Sequence, residues 1–245
     1  MIDQEIINRL LIDEDYYGAF GKQYLSNSDI GALLGNPMNF RVPQKDNINF
    51  HKGRYFHQLI LEPEKAVDTK FVDIGSRNTK AYKESVMDSV QDIIMLEKEG
   101  LEIRNCVDTM MQNLSFYDGI RQEGNQYEVP MIKEIKGLLW KGKADIVCTD
   151  KLIDLKTTSK IADFKYSAKK YNYDSQCYIY QILFGKPLVF YVVDKTNGHL
   201  GIFRPTKEFV KRGEEKVDRA VEQYHRFFGN NPTEDVKHYF IDELL

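Results

Sequence analysis

The chain is poor in several residue types. It has three cysteines, one tryptophan and seven prolines in 245 residues, and its net charge is only −3. Cys106, Cys148 and Cys177 are odd in number and widely spaced. That excludes a disulfide framework and matches no zinc or iron–sulfur ligand spacing. No stretch approaches the roughly 18 consecutive apolar residues of a membrane span, so no membrane partner is expected. The opening MIDQEIINRLLIDEDYYG lacks a basic segment followed by an apolar run, so it does not read as a secretion signal. A reducing cytoplasm is the expected compartment. There is no internal repeat, no low-complexity tract and no Gly-Lys-Ser/Thr phosphate loop. The 34 basic residues against 37 acidic ones count mildly against a nucleic-acid binder, although a local basic patch can hold DNA on an acidic chain.

Hydrophobic residues make up 42% and aromatics 12%, enough for a substantial core. The length fits one domain, 1–245. Residues 1–125 read as helices and loops. Ser26-Asn27-Ser28-Asp29 is a cap signal before Ile30, Leu33 and Leu34, and Pro37 closes that helix. A second helix is expected over Tyr55 to Leu61, stopped by Pro63. A longer one is expected over Thr79 to Glu99, ended by Gly100. Residues 126–228 read as strands at 126–135, 138–148 and 152–157, a helix at about 164–184, strands at 188–193 and 200–203 around Thr196-Asn197-Gly198, and an amphipathic helix at 206–228. Residues 229–245 form a tail. The order predicts an α/β core with a mixed central sheet flanked by helices, preceded by a helical N-terminal part.

The sharpest feature lies in KGKADIVCTDKLIDLKTTS, residues 141–159. On a strand Asp154 and Lys156 share a face, and Leu155 points the other way. A hairpin turn centred on Thr149-Asp150 pairs residues whose numbers sum to 299, which sets Asp145 opposite Asp154. Two carboxylates at such spacing repel unless a cation lies between them. Mg²⁺ or Mn²⁺ is the natural occupant, because it prefers oxygen ligands. Lys156 then reaches over the same site, to orient or deprotonate a water and to stabilise charge on a phosphodiester. The acid-x-Lys pattern alone occurs six times, at Asp68, Glu134, Asp154, Asp163, Glu214 and Asp235. Only Asp154 combines it with an apolar strand and a facing acid. A surface hairpin with a cross-strand salt bridge remains the alternative on spacing alone.

Residues 151–170 carry six lysines against two acids. Lys160, Lys165, Lys169 and Lys170 interleave with Tyr166, Tyr171 and Tyr173. Such a patch neutralises phosphates and offers rings for base stacking, or is simply a solvated helix face.

Taken in order, Ser26-Asn27-Ser28, Gly53 to His57, Glu128, Gly142 to Asp145, Asp154 to Lys156 and Gln176 to Tyr180 resemble the motif series of the RecE/RecB-like branch of the PD-(D/E)XK nucleases. HQLILEPEKAVDTKF and SRNTKAYKE resemble the phage RecE-type pattern. The likeness spans about Tyr24 to Phe228. It implies a restriction-endonuclease-like core and a Mg²⁺- or Mn²⁺-dependent deoxyribonuclease, foremost an exonuclease resecting linear duplex 5′→3′ for recombination. An endonuclease, a single-strand exonuclease and a non-catalytic DNA-binding protein stay open. By resemblance, Asp145 and Asp154 are metal carboxylates, and the Leu155 carbonyl and His57 are further ligands. Lys156 is catalytic, Glu128 assists the metal, and Gln176 and Tyr180 border the chemistry. Ser28 and Arg41 resemble positions at which lambda exonuclease, a relative, meets a terminal phosphate, and Arg77 to Lys80 is a further candidate DNA contact. Iron–sulfur members of the branch carry one cysteine near the Ser-x-Ser helix and three near the C-terminus. Residues 186–245 have none, so no iron–sulfur cluster is expected. DNA, a single-strand annealing protein and copies of the chain in a ring are the implied partners, in a bacterial or phage-infected host cytoplasm.

Overall fold

A computed structural model describes residues 4–43, 45–89 and 92–242. The N-terminal part is helical: α1 Gln4–Leu10, α2 Asp13–Tyr17, α3 Asn27–Gly35, α4 Ile48–Leu61 and the short α5 Pro63–Ala66. Ser26 caps α3 as its sequence predicts, in a reciprocal box with Asp29. Helix α4 starts earlier than expected, because Asn47 accepts hydrogen bonds from the N–H groups of Asn49 and Phe50.

The expected helix over Thr79 to Glu99 is not continuous. Helix α6 spans Lys80–Met87 and stops, residues 90 and 91 lie outside the described residues, and α7 begins at Glu97 and runs to Gln112. Between them Met95–Leu96 (β2) pairs in parallel with Phe71–Val72 (β1). Leu96 is the N-cap of α7, and its N–H donates to the carboxylate of Glu99, in the first turn, at 3.0 Å. Gly100 does not end a helix but lies inside one. A side chain there would sit 2.4 Å from the Phe71 ring, so the glycine serves close packing. Helix α8 Leu114–Arg121 completes this half.

The second half follows the sequence closely. Strands β3 Gln126–Ile135, β4 Leu138–Val147, β5 Leu152–Thr158, β6 Leu188–Asp194 and β7 Leu200–Phe203 form one sheet in the order β3-β4-β5-β6-β7. The β5–β6 pair is parallel and the others antiparallel, so the sheet is mixed. The helix expected over 164–184 is two, α9 Phe164–Lys170 and α10 Tyr173–Phe184. Asn172 separates them in the left-handed region at φ 58°, a conformation asparagine tolerates better than most residues. Helix α11 Lys207–Phe227 is capped by Thr206 and lies against α10. A side chain at Gly213 would meet the Asp174 carbonyl at 2.0 Å, so this crossing needs glycine.

Both sheet faces are covered. On one, Trp140, Ala144, Leu152, Phe190 and Val192 pack with residues of α3, α10 and α11. On the other, Ile146, Ile153, Leu155, Val189, Tyr191 and Val193 pack with Phe56 and Ile60 of α4 and with α7 and α8. The helical N-terminal part thus supplies one wall of the sheet's core. Among the described residues no helix is long and apolar enough to cross a membrane.

Candidate active site

Strand alternation fails at one level of the sheet. On β3, Met131 and Ile135 face α10 while Tyr127 faces the α7 side, although all three numbers are odd. On β4, Trp140 and Ala144 face α10 while Ile146 faces the other way, although all three are even. The switch falls at Glu128 and Asp145. The β3–β4 register pairs Tyr127 with Ile146 and Val129 with Ala144, and it omits the Glu128–Asp145 step between them. Glu128 adopts φ 50°, a left-handed conformation that costs a non-glycine residue about 1–2 kcal/mol. Such strain concentrates at functional sites.

The β4–β5 ladder stops at the same level. Ile146–Ile153 and Val147–Leu152 pair with the expected sum of 299, but the ladder ends there, one residue short of Asp145 and Asp154. The direct Asp145–Asp154 pairing expected from the hairpin is therefore absent. The strands part instead, and both main-chain groups of Leu155 on that edge are freed. Its N–H donates to Asp145 Oδ2 at 2.7 Å, and its carbonyl accepts from His57 Nε2 at 2.8 Å. Glu128, Asp145 and Asp154 form a row of carboxylates across three neighbouring strands, and the open ladder is where their chemistry can occur.

His57 closes the site from α4. Its Nε2 lies 3.3 Å from Asp145 Oδ2 and 2.8 Å from the Leu155 oxygen. Two ligands at adjacent positions of an octahedron, each about 2.1 Å from a Mg²⁺-sized cation, are separated by about 3 Å. The His57 nitrogen is near that spacing from both the Leu155 carbonyl, at 2.8 Å, and the Asp145 carboxylate, at 3.3 Å, so these donors fit a small divalent cation. Among the described residues no three His, Cys, Asp or Glu side chains converge as a ligand set; the third donor here is the main-chain carbonyl of Leu155. Asp154 stands apart. Its Oδ1 accepts from Gln176 Nε2 at 2.7 Å, and its Oδ2 is ion-paired with Lys156. Oδ2 is buried without a well-directed hydrogen bond, an acceptor still open to a further partner.

The electrostatics follow from crowding acids in a poorly solvated place. Burial, then the neighbouring Asp145, pushes Glu128 up to about 8. Asp145 is held below the ordinary carboxylate range: burial opposes this, but His57, Lys156 and the Leu155 N–H prevail. Burial raises Asp154, with Lys156 acting against it. His57 is lifted to about 9 against the effect of burial, because Asp145 stabilises the imidazolium. Lys156 is raised despite burial, chiefly by the neighbouring Asp154.

The remaining predicted residues divide. Gln176 touches Asp154 directly. The Tyr180 hydroxyl donates to the Lys143 carbonyl at 2.9 Å, and its ring fills the space a Gly142 side chain would need, so it packs against β4 two residues before Asp145. Lys156 Nζ lies 5.1 Å from the centre of the Tyr173 ring, which ties the start of α10 to the site. Lys165 and Lys169 are exposed on α9, as is Lys160, which pairs with Asp163 at 2.8 Å. Ser28 is exposed and its hydroxyl lies 2.8 Å from that of Ser26. Arg41 is turned inward, donating to the Tyr24 carbonyl at 3.1 Å. Arg77 is taken up by Glu99, at 2.9 Å through one of its nitrogens, and so is not free for DNA.

The family described as "PDDEXK-like domain of unknown function (DUF3799)" matches residues 32–232. No curated protein matches the chain. Among solved structures, a candidate exonuclease from Eubacterium rectale superposes with a TM-score of 0.65 at 18% identity, covering 88% of this chain and 85% of that one. The likeness at that identity is one of fold. SSO0001 aligns over 93% of this chain and 89% of its own at 13% identity, but its TM-score of 0.39 carries no argument. The mixed sheet between helical layers, the parted strands and the match over residues 32–232 agree, and the chain belongs to the PDDEXK-like domain family DUF3799.

Proposed function

We propose that the protein is a divalent-metal-dependent deoxyribonuclease and that it works as an exonuclease on linear duplex DNA. The observation that carries this reading is the row of Glu128, Asp145 and Asp154 at a parted ladder, with Lys156 and His57 closing on it. The family's description as PDDEXK-like and the name of the E. rectale structure support it. Digestion in the 5′→3′ direction, a role in recombination beside a single-strand annealing protein, and a ring of copies around DNA belong to the same reading through the RecE-type motif series.

His57, Asp145 and the Leu155 carbonyl hold the cation, with Asp154 and Glu128 beside it. A bound Mg²⁺ or Mn²⁺ supplies Lewis acidity and lowers the pKa of a coordinated water. The Leu155 N–H fixes the orientation of the Asp145 carboxylate. Gln176 anchors one oxygen of Asp154, leaving the other toward Lys156. Lys156, a buried cation, stabilises the negative charge that grows on the phosphodiester oxygens during attack, where low polarity strengthens its effect. The lysines of α9 and Lys160 contact phosphates of the strand leading away, and exposed Tyr166 and Tyr171 offer stacking surfaces for frayed bases.

The test is digestion of linear and covalently closed circular duplex with Mg²⁺, using linear substrates labelled at either end. An exonuclease degrades only the linear form and releases the 5′ label first. Linearised circles would identify an endonuclease, and no cleavage of either form under any divalent cation would remove the nuclease reading.

A further inference from the structure

We propose that Arg54 is a DNA-phosphate-binding residue of this site, reaching the strand from the same face of α4 that carries His57. The proposal rests on the nuclease reading and adds a specific residue to it.

Arg54 precedes His57 by three positions, and residues at that spacing lie side by side on a helix. His57 points into the carboxylate row, and Arg54 lies on the same side of α4 one turn earlier. The other cation of this stretch, Lys52, is engaged by Glu102 at 3.0 Å and by Glu99 at 3.4 Å. Lys65 is held by Asp13 at 3.0 Å, and Lys143 by the same carboxylate at 2.7 Å. Arg54 is exposed and, among the described residues, makes no hydrogen bond or ion pair. Its donors are therefore left to solvent or to a ligand.

The surroundings show which way it reaches. Tyr17, at the end of α2, lies near Lys143, whose Nζ is 5.6 Å from its ring centre. Desolvation, then the charges of Glu128 and Asp13, raises the Tyr17 hydroxyl to about 12, while Arg54 pulls it back. Arg54 and Glu128 thus both lie within electrostatic reach of Tyr17, on the α2 side of the site. The lysines of α9 serve the other edge, beyond Lys156. A polyanion crossing three carboxylates needs cations on both edges to overcome repulsion. A planar guanidinium, with a fork of donors matched to phosphate oxygens and always charged, suits that task better than an ammonium. The ligand class is a DNA backbone phosphate, recognised without regard to base sequence.

The test compares wild type, Arg54→Gln and Arg54→Lys. Binding of a fluorescein-labelled linear duplex is followed by anisotropy with Ca²⁺ in place of Mg²⁺, over a series of salt concentrations. Cleavage with Mg²⁺ and melting without metal are measured alongside. Arg54→Gln should weaken binding about tenfold and lower the salt slope by about one, the signature of one lost phosphate contact. KM should rise with kcat nearly unchanged, the melting temperature should stay put, and Arg54→Lys should recover part of the loss. Unchanged affinity and slope in Arg54→Gln overturn the proposal, as does a drop in melting temperature that accounts for the loss. A fall in kcat alone also overturns it. Wild type that neither binds nor cuts DNA removes the nuclease reading itself, an outcome distinct from those.

Discussion

Replacing His57 by alanine tests whether the site is held together by charge before any metal arrives. In the folded chain the imidazole sits 2.8 Å from the Leu155 carbonyl and 3.3 Å from Asp145 Oδ2, and its pKa is lifted to about 9. An unfolded histidine titrates near 6.5. A raised folded pKa means that the folded state binds the proton more tightly. The resulting stability is fully present below pH 6.5 and disappears as pH rises through 9. At pH 7.5 the difference amounts to about 2 kcal/mol. Counting bonds leads to the same size, since hydrogen bonds involving a charged group contribute roughly 1.5–3 kcal/mol. For a chain of this length that is a fall of about 4–8 °C in melting temperature. The assay is urea denaturation of wild type and His57→Ala in EDTA at pH 6, 7.5 and 10. The gap between the two proteins should be widest at pH 6 and shrink to a packing residue of about 1 kcal/mol at pH 10. A gap of the same size at all three values would show that His57 is a packing residue and that Asp145 does not hold it as a cation.

Asp145→Asn and Asp154→Asn should each abolish Mg²⁺-dependent cleavage while circular dichroism stays native, since shape is kept and charge is lost; full activity in either variant would remove it from the metal site. Lys156→Ala should lower turnover by at least ~10²-fold with DNA binding in Ca²⁺ largely intact; collapse of binding would make Lys156 a phosphate contact instead. Lys141, buried and bonded to the Tyr16 carbonyl, has its pKa lowered to about 8, chiefly by burial. Between pH 8 and the ordinary lysine value the unfolded state binds the extra proton, so this residue makes stability rise with pH. Denaturation at pH 7 and 9.5 should show wild type gaining about 2 kcal/mol relative to Lys141→Met, and equal pH dependence in the two would contradict the burial argument.

The strands and their succession along the chain were legible because their signals are local. Gln126–Ile135 is delimited by residue type, Gly137 and Gly198 mark turns that need positive φ, and Thr206 and Ser26 cap helices through their own neighbours. The Asp145, Asp154 and Lys156 trio stood out because an apolar strand rarely carries paired charges. Tertiary structure decided the rest. Period-two alternation predicts that Asp145 faces Asp154 directly, yet the strands part there and each β3 and β4 face switches at Glu128 and Asp145. No local propensity encodes that break. It is held by Leu155, whose freed N–H and carbonyl find Asp145 and His57 from elements 10 and 98 residues away in sequence. The same holds for Gly100. Read along the chain it is a helix terminator, and only the Phe71 ring packed against it shows that the helix runs on and the glycine makes room. Sequence by itself therefore determined the elements and the chemistry carried on them, because both depend on near neighbours. Which side chains meet at the parted ladder depends on long-range packing, and only the folded chain decides it.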